Sequence, residues 1–304
     1  MNQASIFNDV LGPVMRGPSS SHSAGALRIG RMALDLVKGK LSTAIVEYDP
    51  NGSLVTTHKS QGSDMGLFGG FLGWDADDSR LIDYQQQLEQ ANIKVDIRYV
   101  AYQAQHPNTY KLTLNANTAN EHHITAISTG GGMIEVVSID NAAVSLLGDS
   151  FVLLLYVDNN NQDCSITTVE EVAKQVAAQD QFITWKICQG TRDFIVIESH
   201  QNFNKKEISA ICQSHNIEQF HYISPVMPIL NNPTMALPFK NPTDLMEYAK
   251  NSNSSLWQCA LDYESARSGL TCNELMDKME GIRLIMSNAA EIGLAGTSFT
   301  DRLL

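Results

Sequence analysis

The sequence of 304 residues predicts an α+β fold in three parts: an α+β domain, a smaller ferredoxin-like domain, and a region made only of helices. Three observations support this fold class. Hairpin patterns and short helical patterns alternate up to Ser150, a strand–helix–strand–strand–helix–strand order follows, and the chain after Phe239 shows helical patterns alone. A chain of this length is sufficient for two or three domains with separate cores.

The first predicted domain covers residues 1–150. Its first helix follows the apolar pattern of Leu27–Gly39 and ends at a glycine, as helices commonly do. The strand-like segments STAIVEYD and SLVTTHK flank the turn Pro50–Gly52, which predicts a β-hairpin. We expect a helix in SRLIDYQQQLEQAN, a strand in KVDIRYVAY, a second hairpin from YKLTLNAN and EHHITAIST, and a last strand in MIEVVSID.

The second predicted domain covers residues 151–226 and has the ferredoxin-like order of elements. The strand FVLLLYVD precedes a helix that opens at Ser165, and Thr168 with Glu171 matches a capping box. A hairpin from FITWKICQG and RDFIVIES follows. A helix with an Asn–Glu cap pair in NKKEISAICQSHN and the strand EQFHYIS complete the domain.

A linker and a helical region complete the predicted organisation. The linker is assigned to residues 227–240, because the segment SPVMPILNNPTMALPF contains four of the nine prolines. Residues 241–304 are predicted to be helical, and one helix starts at Thr271 with Glu274 as its capping-box partner. These helices carry so much apolar surface that we expect them to need a partner.

Composition restricts the classes of function. The formal net charge of −12 argues against nucleic-acid and anionic-membrane partners, because both require a basic surface. The five cysteines are an odd, scattered set without a C-x-x-C pair, which is typical of a reducing compartment. The sequence has no signal-peptide pattern and no apolar run of ~20 residues. We therefore expect a cytoplasmic protein.

The segment GPSSSHSAGA crowds hydroxyl groups and an imidazole at the start of the first helix. Pro18 restricts the backbone, and one of the serines is expected to cap the helix. N–H groups at a helix start, together with the positive end of the helix dipole, bind carboxylates or phosphates. The candidate residues are Ser19, Ser20, Ser21 and His22. The alternative is a capped helix with spare serines.

Two glycine-rich segments supply the other candidates. THKSQGSDMGLFGGFLGW combines polar side chains with glycines that permit close backbone approach, and STGGGMIEV places three glycines in a strand. The candidate residues are Gln61, Ser63, Asp64, Gly130, Gly131 and Gly132. The alternatives are a helix packed tightly on a sheet and a strand bulge that touches only another backbone segment.

Other chemical motifs are absent or weak. The sequence has no P-loop and no nucleophile elbow, and GALRIG lacks the glycine spacing of a dinucleotide site. His122 and His123 are expected on an exposed strand rather than at a metal. Cys259 and Cys272 are expected on buried helix faces, because isolated cysteines behave as small apolar groups.

Three segments together resemble a known family. IFNDVLGPVMRGPSSSHSAGALRIGRMA, QGSDMG and STGGGMIEV are similar to the β domain of the iron–sulfur-dependent bacterial L-serine dehydratases. The G-P-S-S-S-H stretch, at Gly17–His22, is the most specific of these motifs. Residues 151–226 resemble an ACT domain, a small ligand-sensing module, and residues 241–304 resemble the first helices of the family's α domain.

The resemblance implies a lyase reaction. In this family, β-elimination converts L-serine into aminoacrylate and then into pyruvate and ammonia. A 4Fe–4S cluster, held by three cysteines with one iron left open, acts as the Lewis acid on the substrate hydroxyl while a base removes the α-proton. The ten candidate residues would bind the substrate, with Ser19–His22 facing its carboxylate. An α domain or subunit and further copies of this chain are the expected protein partners.

The chain departs from the family pattern at two points. None of its cysteines lies in a matching motif, so the cluster ligands are expected outside residues 1–304, in a continuation of the chain or in a separate α subunit. Gln61 stands where some members have a histidine, so no residue is assigned as the α-proton base. Two alternatives stay open: a non-catalytic amino-acid sensor and an iron–sulfur cysteine desulfhydrase.

Overall fold

The computed structural model describes residues 4–157, 165–178, 183–232 and 236–296. The chain divides into two compact units. One is Phe7–Asn231, and the other joins Met1–Ile6 to Asn232–Leu304. Strands and helices are combined in the first unit, and the described part of the second has helices after Asn232. This agrees with the predicted α+β class, while the boundaries of the three predicted domains stay a prediction.

The first sheet of the described residues is mixed, with the strand order β2-β1-β3-β4-β5-β6. Its strands are β1 (Thr43–Tyr48), β2 (Lys94–Tyr99), β3 (Thr109–Leu114), β4 (His122–Gly130), β5 (Met133–Ile139) and β6 (Ala142–Leu146). β1 and β2 are parallel, and the other neighbours are antiparallel. Burial alternates along β1 because successive side chains point to opposite faces.

Helices pack tightly in this part of the molecule. They are α1 (Gly25–Leu36), α2 (Leu54–Thr57), α3 (Ser63–Phe71) and α4 (Tyr84–Gln90). A Cβ atom at Gly30 of α1 would overlap the carbonyl oxygen of Leu67 in α3, and one at Gly70 would overlap the carbonyl oxygen of Leu27. The crossing of α1 and α3 therefore requires glycine on both helices.

The hairpin predicted around Pro50–Gly52 is wrong. SLVTTHK contributes the helical turn α2 instead of a strand, and β1 pairs with β2 and β3, which come later in the chain. The hydroxyls of Thr56 and Thr57 donate to the carbonyl oxygen of Ser53 at 3.2 and 2.7 Å. Such local hydrogen bonds compete with strand pairing. The second predicted hairpin is confirmed, because β3 and β4 are antiparallel neighbours.

The second sheet has the order β10-β7-β9-β8 and is antiparallel throughout. Its elements follow one another as β7 (Phe151–Tyr156), α5 (Ile166–Ala177), β8 (Thr184–Cys188), β9 (Phe194–Ser199), α6 (Lys205–Ser214) and β10 (Phe220–Ile223). This confirms the predicted order of strands and helices. One apolar core contains residues of both sheets, including Val136 and Leu154.

The helix caps of this region follow local sequence. Ser165 opens α5 as expected, and its hydroxyl accepts from the N–H of Thr168 at 3.4 Å. The predicted capping box of Thr168 with Glu171 is wrong, because Thr168 already lies inside the helix. Asn204 caps α6 through the N–H of Glu207, as predicted.

A buried polar cluster lies beside both sheets. His122 Nδ1 donates to Asp140 Oδ2 at 2.9 Å, and the Tyr156 hydroxyl donates to the same oxygen at 2.7 Å. His122 is 1% exposed, so its predicted exposed position is wrong. Successive side chains of β4 point to opposite faces of the sheet. The side chain of His122 points to the buried face, whereas that of the next residue, His123, is partly exposed. The ring of His221 packs at right angles to that of His122.

The described part of the second unit contains three helices. Its helices are α7 (Pro242–Ser252), α8 (Leu256–Ser268) and α9 (Cys272–Ala295). The Ser5 hydroxyl and the Ile6 N–H donate to the carboxylate of Glu264 at 2.6 and 2.8 Å, which joins the N-terminal segment to α8. Thr271 and Glu274 form the predicted capping box of α9.

Much of the apolar surface of these helices is exposed. The exposed residues are Met246, Leu256, Trp257, Met276, Leu284, Ile285, Met286, Ile292 and Leu294. Cys259 is buried as expected, but Cys272 is exposed because it occupies the first turn of α9, so that prediction is wrong. Within the described ranges, no helix combines the length and apolarity needed to span a bilayer.

Candidate functional site

The G-P-S-S-S-H segment leads into a π-helical turn, Ser20–Ala24, that continues directly into α1. Ser19 precedes the turn in an extended conformation, and its side chain makes no capping bond to the backbone. The predicted serine cap is wrong, because the extra turn places Ser20 and Ser21 inside the helical segment and makes Ala24 the N-cap of α1. The serine hydroxyls are therefore available for other contacts.

His22 is held between two hydroxyl groups. Its Nδ1 lies 3.1 Å from Ser19 Oγ, and its Nε2 lies 3.1 Å from Thr57 Oγ1. Thr57 gives its own proton to the carbonyl oxygen of Ser53, so it accepts from Nε2–H, and Nδ1 in turn accepts from the Ser19 hydroxyl. Burial lowers the pKa of His22, which favours this neutral form.

The loop between α2 and α3 lies against the π-helical turn. The buried hydroxyl of Ser23 donates to the carbonyl oxygen of Gln61 at 3.2 Å. Gly62 has a positive φ of 84°, and a Cβ atom there would overlap Ser23 Oγ. This glycine is thus required by both its backbone conformation and the contact with the turn. The first two predicted motifs are in direct contact.

The triple glycine forms the turn between β4 and β5. All three glycines have positive φ, with 115° at Gly130, 62° at Gly131 and 90° at Gly132, a region that L side chains rarely adopt. Nearby, Ser128 Oγ donates to the carbonyl oxygen of Ser21 at 2.7 Å. The third predicted motif therefore also meets the start of α1, through the strand that precedes the glycines.

Arg28 of α1 is a buried cation beside this turn. It is 5% exposed, and its Nη1 donates to the carbonyl oxygen of Gly132 at 2.5 Å. Burial lowers the pKa of Arg28 to about 10. Within the described residues, no carboxylate forms an ion pair with it. A buried charge without a counter-charge is costly, so an anion bound here would be strongly stabilised.

Ser63 and Asp64 have partners inside the domain. Ser63 is fully buried and its Oγ accepts from the Tyr110 hydroxyl at 3.1 Å. Asp64 Oδ1 lies 2.7 Å from His58 Nδ1, and both side chains are almost completely buried. In contrast, no hydrogen bond of the described residues uses the side-chain hydroxyl of Ser20 or Ser21, and both residues are half-buried. Substrate binding by the ten candidates stays a prediction.

The described residues do not fit an iron–sulfur cluster. Within them, no group of three or more His, Cys, Asp or Glu side chains is placed to hold a metal ion. Cys188, Cys212 and Cys259 are buried in different elements, and Cys272 is exposed at the start of α9. Cys164 lies outside the described residues.

Two residues of this region, Arg28 and His58, were not predicted from the sequence. Arg28 is enclosed because α1 is buried on most sides. The run of buried small and apolar residues on both sides of Arg28 was the available signal that this arginine is enclosed.

Comparison with known proteins assigns the family. No protein-family model matches the chain. It is 34% identical over 209 residues to the probable L-serine dehydratase, beta chain, of Bacillus subtilis (strain 168), a match that covers 65% of this chain and 93% of the relative. It is 33% identical over 156 residues to the L-serine dehydratase, beta chain, of Peptoniphilus asaccharolyticus, which covers 51% and 69%. The chain belongs to the family of L-serine dehydratase beta chains.

Proposed function

We propose that this chain is the substrate-closing part of an L-serine dehydratase, which converts L-serine into pyruvate and ammonia by β-elimination. The observation that carries the proposal is the meeting of three family motifs with a buried arginine near the start of α1, which no carboxylate of the described residues neutralises. The relatives are named as beta chains of this enzyme, which supports an α domain or subunit as the protein partner.

Binding of the substrate carboxylate is the first role of the site. Arg28 supplies a positive charge and directional N–H donors, and the adjacent start of the helical segment favours negative charge. The hydroxyls of Ser20 and Ser21 add two donors that the described fold leaves unused. A carboxylate held by these groups fixes the orientation of the α-carbon and the β-hydroxyl, which is a large part of catalysis.

Orientation of a hydroxyl acceptor is the second role. With Nε2–H bound to Thr57, His22 accepts the Ser19 proton and directs the oxygen lone pairs of Ser19 away from the ring. A 4Fe–4S cluster, which the family resemblance implies, would supply Lewis-acid chemistry at the leaving hydroxyl and would be held by ligands outside residues 1–304. The roles assigned to this chain are binding, orientation and proton handling.

The finer names of the domains are part of the same proposal. We infer that residues 1–150 form a serine-dehydratase β domain and residues 151–226 an ACT-like domain. The strand order β10-β7-β9-β8, with α5 and α6 as the connecting helices, supports the second assignment. The exposed apolar residues of α8 and α9 support the assignment of residues 241–304 to the opening part of an α domain, which would cover them.

The proposed function is tested by reconstitution. The complete chain is combined without oxygen with a cluster-loaded α chain of this family, and pyruvate is measured with L-serine and with L-cysteine as substrates. If the chain takes part in serine dehydration, pyruvate should form from L-serine when the two chains are combined and should not form with either chain alone. Pyruvate and sulfide from L-cysteine with no turnover of L-serine would indicate the desulfhydrase, and calorimetric binding of L-serine without any turnover would indicate the sensor.

The serine donors give this test a residue-level check. In the reconstituted mixture, Ser20→Ala and Ser21→Ala should each raise KM for L-serine several-fold, because each removes one hydrogen bond to the carboxylate, about 1 kcal/mol. Ser214→Ala, an exposed serine of α6, is the matched control. An unchanged kcat/KM in both site variants would contradict the assignment.

A further inference from the structure

A second hydrogen-bonded chain begins at the residue next to Thr57. Thr57 contacts His22, and the next residue, His58, has its own hydrogen-bond partners. His58 Nδ1 lies 2.7 Å from Asp64 Oδ1, and His58 Nε2 lies 2.8 Å from the hydroxyl oxygen of Tyr99. This carboxylate–imidazole–phenol chain has the geometry of a proton relay.

The relay leads from the interior to the surface. Asp64 and His58 are 4% and 3% exposed, whereas Tyr99, at the end of the edge strand β2, is 53% exposed. The carboxylate can only accept, so His58 carries its proton on Nδ1 and accepts the Tyr99 proton at Nε2. A ligand can reach only the phenol, while the two buried groups act through it.

The neighbouring phenols keep their protons at neutral pH. The Tyr48 ring lies 5.3 Å from the His58 ring, and the Tyr110 hydroxyl binds Ser63 beside Asp64. Burial is the main cause that raises the pKa of Tyr48, Tyr84 and Tyr110. The negative charge of Asp64 raises the pKa of all three further. The relay thus consists of one buried carboxylate, one imidazole and one accessible phenol.

We propose that Tyr99 is the acceptor of the substrate α-proton, and that His58 and Asp64 are its positioning residues. This proposal rests on the proposed function, because it assigns the base that dehydration of L-serine requires.

The proton and electron balance closes within the reaction. The Tyr99 O–H bond breaks and an N–H bond forms at His58 Nε2, while the Asp64 carboxylate stabilises the imidazolium. The phenolate takes the α-proton of L-serine, and the C–H electron pair forms the carbon–carbon double bond of aminoacrylate. The β-hydroxyl leaves with its bonding electron pair and takes the proton of the Tyr99 hydroxyl to become water. The Tyr99 oxygen then takes back the proton held at His58 Nε2, which restores the phenol and neutral His58.

Kinetics of the reconstituted enzyme test the assignment. Tyr99→Phe should lower kcat for L-serine about 100-fold or more with KM nearly unchanged, because proton transfer in the transition state is lost while substrate binding is kept. The isotope effect with α-deuterated L-serine should rise in this variant. Tyr102→Phe is the matched control, since within the described residues its hydroxyl donates to the backbone oxygens of Glu47 and Thr109, and kcat should stay within twofold.

A spectroscopic readout on the complete chain is independent of turnover. Nitrogen-15 spectra should show His58 protonated on Nδ1, and Asp64→Asn should move the proton to Nε2 and lower kcat without raising KM. Wild-type kcat in Tyr99→Phe, or His58 protonated on Nε2 in the wild type, overturns the relay even if pyruvate forms. Absence of pyruvate with the wild-type chain is failure of the proposed function and removes the α-proton assignment with it.

Discussion

Arg28 carries a positive charge that the described part of the fold does not neutralise. Among the described residues, its hydrogen bond to the Gly132 carbonyl oxygen uses one donor of the guanidinium. Burial of a charge normally destabilises a protein unless a partner compensates it, and replacement by an apolar residue of similar size is often neutral or stabilising. Replacing Arg28 should therefore have different effects on substrate binding and on stability, depending on whether this arginine binds an anionic substrate or only fills space.

Arg28→Met separates these roles. We expect KM for L-serine in the reconstituted enzyme to rise about tenfold or more, because a charge-assisted hydrogen bond contributes about 1.5–3 kcal/mol. The free energy of unfolding should stay equal or increase. Steady-state kinetics and denaturant unfolding of the same variant measure both quantities.

Arg31→Met is the control for this substitution. Arg31 lies one turn further along α1, and its guanidinium pairs with the exposed carboxylate of Asp75. A surface ion pair of this kind contributes little, so kinetics and stability should change only slightly. If Arg28→Met lowers stability while KM stays at the wild-type value, the arginine has a structural role and the carboxylate assignment is wrong.

At the scale of single residues, contacts between residues close in sequence were easier to predict than contacts between distant ones. The motif at Ser19–His22 indicated an anion site from residue types alone, and the hydroxyl–imidazole contacts depend on residues close in sequence and on Thr57. The burial of Arg28 depends on the turn at Gly132, more than a hundred residues later. The small and apolar residues around Arg28 indicate that it is enclosed, but a partner at this sequence separation leaves no local pattern, so the contact with Gly132 was not predictable.

At the scale of elements, the crossing of α1 and α3 holds the site together. Gly30→Ala should destabilise these helices by about 1–3 kcal/mol, because the added methyl group overlaps the Leu67 carbonyl oxygen of α3. Helix propensity alone predicts the opposite, a gain of about 1 kcal/mol. Amide hydrogen exchange of α1 measures the change locally.

Gly281→Ala in α9 is the matched control, because a Cβ atom there meets nothing within 4 Å. Its amide protection should increase by about 0.5–1 kcal/mol, as helix propensity predicts. Equal stabilisation in both variants would show that the close approach of α1 and α3 carries no packing constraint.

Elements with local determinants were predictable, and those that depend on distant pairing were not. The capping box of Thr271 and Glu274 is complete within four residues and was predicted correctly. The hairpin around Pro50–Gly52 was not, because the neighbours of β1 are supplied by segments that follow forty or more residues later. The turn residues were compatible with a hairpin, but local bonds of Thr56 and Thr57 favoured a helical turn.

At the scale of the whole molecule, the contacts between the two sheets make stability dependent on pH. His221 of β10 is buried, and its Nδ1–H donates to the carbonyl oxygen of Leu36 at 2.5 Å. Burial, followed by the nearby His122 and Lys38, lowers the pKa of His221 from 6.5 to about 3. The folded chain therefore resists protonation at this histidine far more than the unfolded chain does.

The sign of the effect follows from linkage. Below pH 6.5 the unfolded chain binds a proton at this position that the folded chain does not bind, so the contribution to stability is full above that pH and is lost as the pH falls toward 3. The loss is about 1.4 kcal/mol per pH unit within this window. His22 contributes in the same direction, because burial also lowers its pKa.

His221→Asn removes the titrating group while an amide N–H can still reach the Leu36 carbonyl oxygen. Free energies of unfolding between pH 4.5 and 8, measured with denaturant, should fall less steeply toward acid in this variant than in the wild type. His123→Gln is the control, since that side chain is 40% exposed, and its slope should match the wild type. Parallel curves for wild type and His221→Asn would mean that His221 accepts a proton without unfolding and that the two sheets tolerate a charge between them.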